Sequence, residues 1–187
     1  MTLLTKSVSW LILTCLILGL TGCATQQSPV TDTTLNQNFS FLYSIQISQK
    51  KKIRFSGILA TRGKGKSLSY ALLDPTGITL LSATITEDAR SSTKYMAAKL
   101  GESPLPELLT SSLYRIFFSQ SSQMKCKQGL FSFSVESKTE QEKMRACRAG
   151  PFPWWSVHGS PVSESVLYSQ PWLGVKIKLV RITDANN

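Results

Sequence analysis

The chain has 187 residues, 42% of them hydrophobic, and carries 21 Lys and Arg against 11 Asp and Glu, a formal net charge of +10 at pH 7. That length suits one domain once a leader is removed. The charge points to an anionic polymer or membrane surface, but the basic residues are scattered and stripe no helix, which together with an export signal argues against nucleic acid.

Residues 1–22 have the layout of a secretory signal: Lys6, an apolar core from Val8 to Leu20, then small residues. The core is about 13 residues, short of the roughly 20 that a spanning helix needs. It ends in Leu20-Thr21-Gly22-Cys23, which resembles the bacterial lipobox. The resemblance implies that Cys23 becomes the first mature residue and carries a diacylglycerol thioether and an N-linked acyl chain such as palmitate. A chance cysteine at an ordinary cleavage site is the competing reading. Ala24, rather than Asp, follows Cys23, and under the sorting rule of enteric bacteria this resembles an outer-membrane address, facing the periplasm. Residues 23–37 are polar and read as a flexible tether, leaving 38–187 as one domain.

Phe39, Phe41, Tyr43, Ile45 and Ile47 alternate with polar residues, the pattern of a half-buried antiparallel strand. After the Lys50-Lys51-Lys52 turn, Ile53, Phe55 and Leu59 continue a second strand, with Gly57 at a bulge or bend. Arg62-Gly63-Lys64-Gly65-Lys66 is a hairpin turn, and Leu68, Tyr70 and Leu72 form one face of a third strand. Asp74-Pro75-Thr76-Gly77 reads as a turn, and Ile78 to Thr86 as a fourth strand, apolar on both faces. Residues 39–86 are therefore expected to form a four-strand meander, with the lysine turn and the Asp74–Gly77 turn at one end.

Ser103 can cap a helix and Pro104 suits its first turn; Leu105, Leu108, Leu109, Leu113, Ile116 and Phe117 form its apolar stripe. Strands are expected over 130–135, 165–169 and 173–182. Residues 138–148 read as a charged loop or short helix, and Pro151-Phe152-Pro153-Trp154-Trp155 as a rigid aromatic loop. With Cys15 lost in the leader and Cys23 lipidated, Cys126 and Cys147 remain; an oxidising compartment makes a disulfide the default over free thiols or a redox pair. The expected fold is α+β: a strongly curved antiparallel sheet, or half-barrel, with a helix packed in its open side and an apolar cleft suited to acyl chains.

Three stretches, YALLDPTGITLL (70–81), SPLPELLTSSLYRIFF (103–118) and GVKIKLVRI (174–182), together resemble the LolB family of outer-membrane lipoproteins, within the LolA/LolB half-barrel superfamily. The resemblance implies a receptor that takes acylated proteins from a LolA-like periplasmic carrier and passes them to the membrane. It places a ligand cavity on Phe41, Tyr43, Phe55, Tyr70, Leu72, Leu80, Leu109, Leu113 and Phe117, residues that would equally serve a plain core. It implies a membrane-facing loop at Pro75, Thr76, Gly77 and Ile78. The family carries an exposed leucine where this chain has Thr76, and Ile78 is the substitute two residues on.

No constellation for catalysis, metal or cofactor binding stands out: His158 is the single histidine, without a carboxylate pair beside it. The sequence therefore reads as a non-enzymatic binder of membrane lipid, an acylated protein or another hydrophobic cargo. A structural lipoprotein of an envelope assembly is the alternative, and an enzyme using His158 the third.

Overall fold

Side chains that alternate between apolar and polar sink one face of an extended segment into a core. In the computed structural model, which describes residues 38–118, 126, 131–136 and 143–182, β1 (Phe39–Gln49) does so, burying Tyr43, Ile45 and Ile47 and exposing Leu42, Ser44 and Gln46. β2 (Lys52–Lys64), β3 (Ser67–Leu73) and β4 (Thr79–Thr86) follow, and β5 (Ser91–Met96) lengthens the expected four-strand meander to five. The short α1 (Ala98–Gly101) leads into α2 (Leu105–Phe117). A second meander comprises β6 (Phe131–Glu136), β7 (Met144–Ala149), β8 (Phe152–His158), β9 (Ser165–Gln170) and, after a 3-10 turn at Pro171–Leu173, β10 (Val175–Arg181). The leader, Cys23 and the tether lie outside the described residues.

Among the described residues the ten strands form one open sheet in the order β5-β4-β3-β2-β1-β10-β9-β8-β7-β6, and every pairing is antiparallel. The two meanders therefore join through the first and last strands, β1 and β10. The connection from β5 to β6 links the two outer edges, and α2 lies within it. The helix touches strands far apart in the sheet. Tyr114 Oη donates to the Glu87 carbonyl after β4 (3.0 Å), and Arg145 Nη2 on β7 donates to the Ile116 carbonyl (3.1 Å). Laid flat, β4 and β7 would be seven spacings of about 4.8 Å apart, roughly 34 Å, whereas a helix with its side chains is about 10–12 Å across. One helix meets both only because the sheet curves around it.

Helical spacing brings Leu109, Leu113, Ile116 and Phe117 to one buried face of α2. They meet Tyr43, Ile45, Leu59, Leu68, Leu72, Leu81 and Ile85 of the first meander and Val157, Tyr168, Ile177 and Leu179 of the second in one core. Phe117 stacks on Phe39, centroids 5.9 Å apart. The expected start shifts by one residue: Pro104 is the N-cap position, without a side-chain cap, and Pro106 stands in the first turn, while Ser103 Oγ, one residue before the cap, accepts from Leu105 N–H at 3.2 Å. Gly57 answers to a close approach rather than a bulge: a Cβ there would lie 2.2 Å from the Leu73 carbonyl oxygen. The register shift of β1 and β2 falls instead at Ile47/Ser48.

Two further expectations are corrected. The part of 138–148 that is described is largely strand β7, with Arg145, Ala146 and Cys147 buried, because Arg145 spends its charge on the carboxyl end of α2 rather than on solvent. Residues 152–155 belong to strand β8, whose Pro153 sits beside the register shift at Cys147/Arg148, where a missing N–H is tolerated.

Every described residue belongs to the unit Thr33–Asn187, and its buried core runs from Tyr43 to Leu179, so that unit contains the core that holds it together.

Candidate functional site

While one face of α2 fills the concave sheet, the opposite face stays partly exposed and looks into a cavity of about 650 Å³. Thr110, Ser111, Tyr114 and Arg115 supply the helix wall; Ile85, Ser91, Thr93 and Met96 come from β4 and β5, Leu100 from α1, and Cys126 and Trp155 from the second half of the chain. The cavity thus lies between the first meander's outer edge and the second meander, beside the helix that bridges them.

Arg115 is its main charge. Its Nη1 donates to Tyr168 Oη and, at 3.4 Å, to Gln170 Oε1, while Tyr168 Oη itself donates to Gln170 Oε1 at 3.0 Å. The guanidinium carbon stands 5.7 Å from the centre of the Trp155 ring. Tyr168 and Trp155 are buried, which fixes the arginine in place. Two acids also line the cavity: Asp88, whose carboxylate meets Arg90 at 2.8 Å, and Glu107 in the first turn of α2. The hydrogen bond from the Thr86 hydroxyl and, less strongly, the charge of Arg90 hold the Asp88 carboxyl below the usual carboxylate range.

The nine residues expected to line a cavity lie elsewhere. Tyr43, Tyr70, Leu72, Leu109, Leu113 and Phe117 are buried in the shared core, and Phe41 and Phe55 pack against it half-buried. Leu80 has the parity of Ser82 and Thr84, opposite to the buried Leu81, Ala83 and Ile85, so it faces away from the helix. None of the nine lines the cavity described here. Apolar periodicity selects the face the helix covers, whereas the cavity belongs to the polar face. The pattern Thr110-Ser111-Tyr114-Arg115, polar residues recurring at helical spacing opposite the leucines, is the sequence signal that marks it.

Cys126 and Cys147 form a disulfide, with Cα atoms 6.1 Å apart. Cys147 pairs in register with Trp155, so the bond pins Cys126 to the cavity's far wall. His158 is exposed on β8, and among the described residues no group of three or more His, Cys, Asp or Glu side chains could hold a metal.

The end of the sheet that carries the β1–β2 turn is a second feature. Lys50 and Lys51 form the two-residue turn, both at positive φ (48° and 66°), the geometry that usually selects Asn-Gly. Lys50 N–H donates to the Gly174 carbonyl at 2.8 Å, so the β9–β10 turn lies alongside. That turn exposes Trp172 and Leu173, and Trp172 packs on the partly exposed Trp154, centroids 5.6 Å apart. Lysines and amphipathic rings together form a tip of the composition found at membrane interfaces. The Asp74–Gly77 turn is at the same end but set back, because β2 runs past β3 by the six residues Lys52–Gly57, about 20 Å at roughly 3.3 Å each. Within it, Asp74 Oδ1 accepts from Thr76 N–H (2.9 Å), Thr76 Oγ1 (2.7 Å) and Ile78 N–H (2.9 Å). The Thr76 hydroxyl closes the turn, and the Ile78 side chain is 63% exposed.

No protein-family model matches this chain, and no curated protein matches it either.

Proposed function

We propose that this chain is an outer-membrane lipoprotein, anchored through Cys23 on the periplasmic face, that binds an acyl chain or other hydrophobic cargo and aids its delivery to the membrane. The reading follows the LolB-like resemblance of 70–81, 103–118 and 174–182. The observation that carries it is the 650 Å³ cavity between a curved sheet's edge and the bridging helix, a size within the roughly 300–1,000 Å³ of small-ligand sites. The Lys50/Lys51 tip with Trp154 and Trp172 supports it, as a surface that would seat the domain on anionic headgroups. No covalent chemistry is needed. Burial of the chain drives uptake, and release follows wherever the bilayer binds the cargo better than the cavity does. A LolA-like soluble carrier is the delivering partner this reading implies.

Native mass spectrometry of residues 33–187, exported to an oxidising compartment, tests it. The expected spectrum shows a lipid or acyl-peptide adduct, or gains one on incubation with an acylated peptide. A bare mass that stays unchanged after that incubation would refute cargo binding. It would favour the structural lipoprotein instead, a reading supported by β5, whose six residues are all exposed at a sheet edge where a partner strand could add.

A further inference from the structure

We propose that the cavity beside α2 takes a single-chain anionic amphiphile, its carboxylate or phosphate head on the Arg115 guanidinium and its chain against Ile85, Met96, Leu100 and Tyr114. The proposal rests on reading the domain as an acyl binder and adds what the head of the ligand must be.

Three observations carry it. Arg115 is half-buried, and each of its partners (Tyr168, Gln170 and the Trp155 ring) is neutral. Among the described residues no carboxylate lies within ion-pair distance of it; the two pairs formed are Lys66–Glu87 and Arg90–Asp88. A guanidinium presents five donors in a rigid fork, and only Nη1 bonds to the described residues here. The remaining fork is the geometry that carboxylates and phosphates accept in pairs. Removal from water raises the worth of such a contact, because a partly desolvated cation without a counter-charge is costly to keep.

The acids of the cavity do not fill that role. Asp88 is held by Arg90, and Glu107 precedes Arg115 by eight residues, about 12 Å along the helix axis. Size sets the rest. A methylene takes about the space of a water, roughly 30 Å³, so 650 Å³ holds on the order of twenty such groups. That is room for one long chain with its head. Tyr168 and Trp155, both buried, hold the arginine before the ligand arrives, so little ordering is lost on binding.

The test is a calorimetric titration of residues 33–187, with the disulfide intact, against hexadecanoate, hexadecyl phosphate and methyl hexadecanoate, each below its aggregation threshold. The native protein is expected to bind the better anion about tenfold or more tightly than the neutral ester, the yield of one charge-assisted hydrogen-bond pair. Arg115→Gln should erase that preference, and Arg115→Lys should keep part of it. Preference for the carboxylate names a fatty acid as the source, and preference for the phosphate names a phospholipid derivative. Equal binding of acid, phosphate and ester by the native protein overturns the head site and leaves acyl binding standing; so does an Arg115→Gln variant with undiminished anion preference. No binding of any of the three overturns both. The comparison of ligands on the native protein decides the matter even where a variant fails to fold.

Discussion

Tyr43 sits at the centre of the concave face, fully buried, its hydroxyl donating to the Pro161 carbonyl at 2.7 Å. Burial pushes its phenol well above the ordinary value, against the smaller opposite pull of Arg181, and burial also raises Tyr70, against its hydrogen bond with the Thr110 hydroxyl. The sign follows. A phenol that holds its proton more tightly in the folded state than in the unfolded one contributes its full stability below about pH 10, the unfolded value. That stability is lost as pH climbs above 10 towards the folded value. Denaturant midpoints at pH 8 and pH 11 should therefore fall for the native domain, and fall less for Tyr43→Phe. The variant should also start lower at pH 8, by about 1 kcal/mol for the lost bond to Pro161. Equal drops in the two proteins would show that Tyr43 does not govern the alkaline limb. The alternation that buries Tyr43 is visible in the sequence. The role of Arg145 is not: a buried guanidinium on a carbonyl at the end of α2 reads, from sequence, as one more charge in a polar run.

Among the elements, those with a clean period were legible and those shaped by their neighbours were not. β1, β3, α2 and β10 repeat their apolar residues at two or at three and four, and each forms close to where that period places it. β5 has no period because, as an edge strand with every residue exposed, it has no face to bury. β8 contains Pro153, a loop signal that a register shift absorbs. The cavity was hidden for a related reason, since its helix wall is the polar face that an apolar search discards. The β1–β2 turn shows an element keeping residues its geometry disfavours. Left-handed backbone costs a residue with a Cβ about 1 kcal/mol or more, and Asn-Gly would relieve it, yet Lys50 and Lys51 stand there. If the charges serve membrane contact, Lys50→Asn with Lys51→Gly should raise the unfolding free energy by about 1–2 kcal/mol. It should also weaken sedimentation with phosphatidylglycerol vesicles several-fold, at about 1 kcal/mol per basic residue near the surface. A variant that is more stable and binds vesicles as well as the native domain would reduce the turn to a tolerated strain.

At the scale of the whole molecule, the design problem is an open sheet whose two edges are ends of different meanders. Each meander holds its own strands by local hairpins, and between them run the β1–β10 pairing and the packing of α2. The β1–β10 seam is secured by a seven-residue register from Tyr43↔Arg181 to Gln49↔Val175 and by the core on its inner face. On the open side Cys126 lines the cavity, and the disulfide ties it to β7. Closing a loop of 21 residues stabilises a domain by about 3 kcal/mol in the chain-entropy account. For a domain of roughly 150 residues that corresponds to a fall in Tm of about 6–12 °C when the bond is removed. Cys126→Ser with Cys147→Ser should show that fall. It should also lower affinity for hexadecanoate more than affinity for vesicles, because Cys126 lines the cavity itself. Vesicle binding lost in proportion to ligand binding would mean that the two surfaces are one cooperative structure. An unchanged Tm would mean that the seam and the helix alone hold the sheet around its cavity.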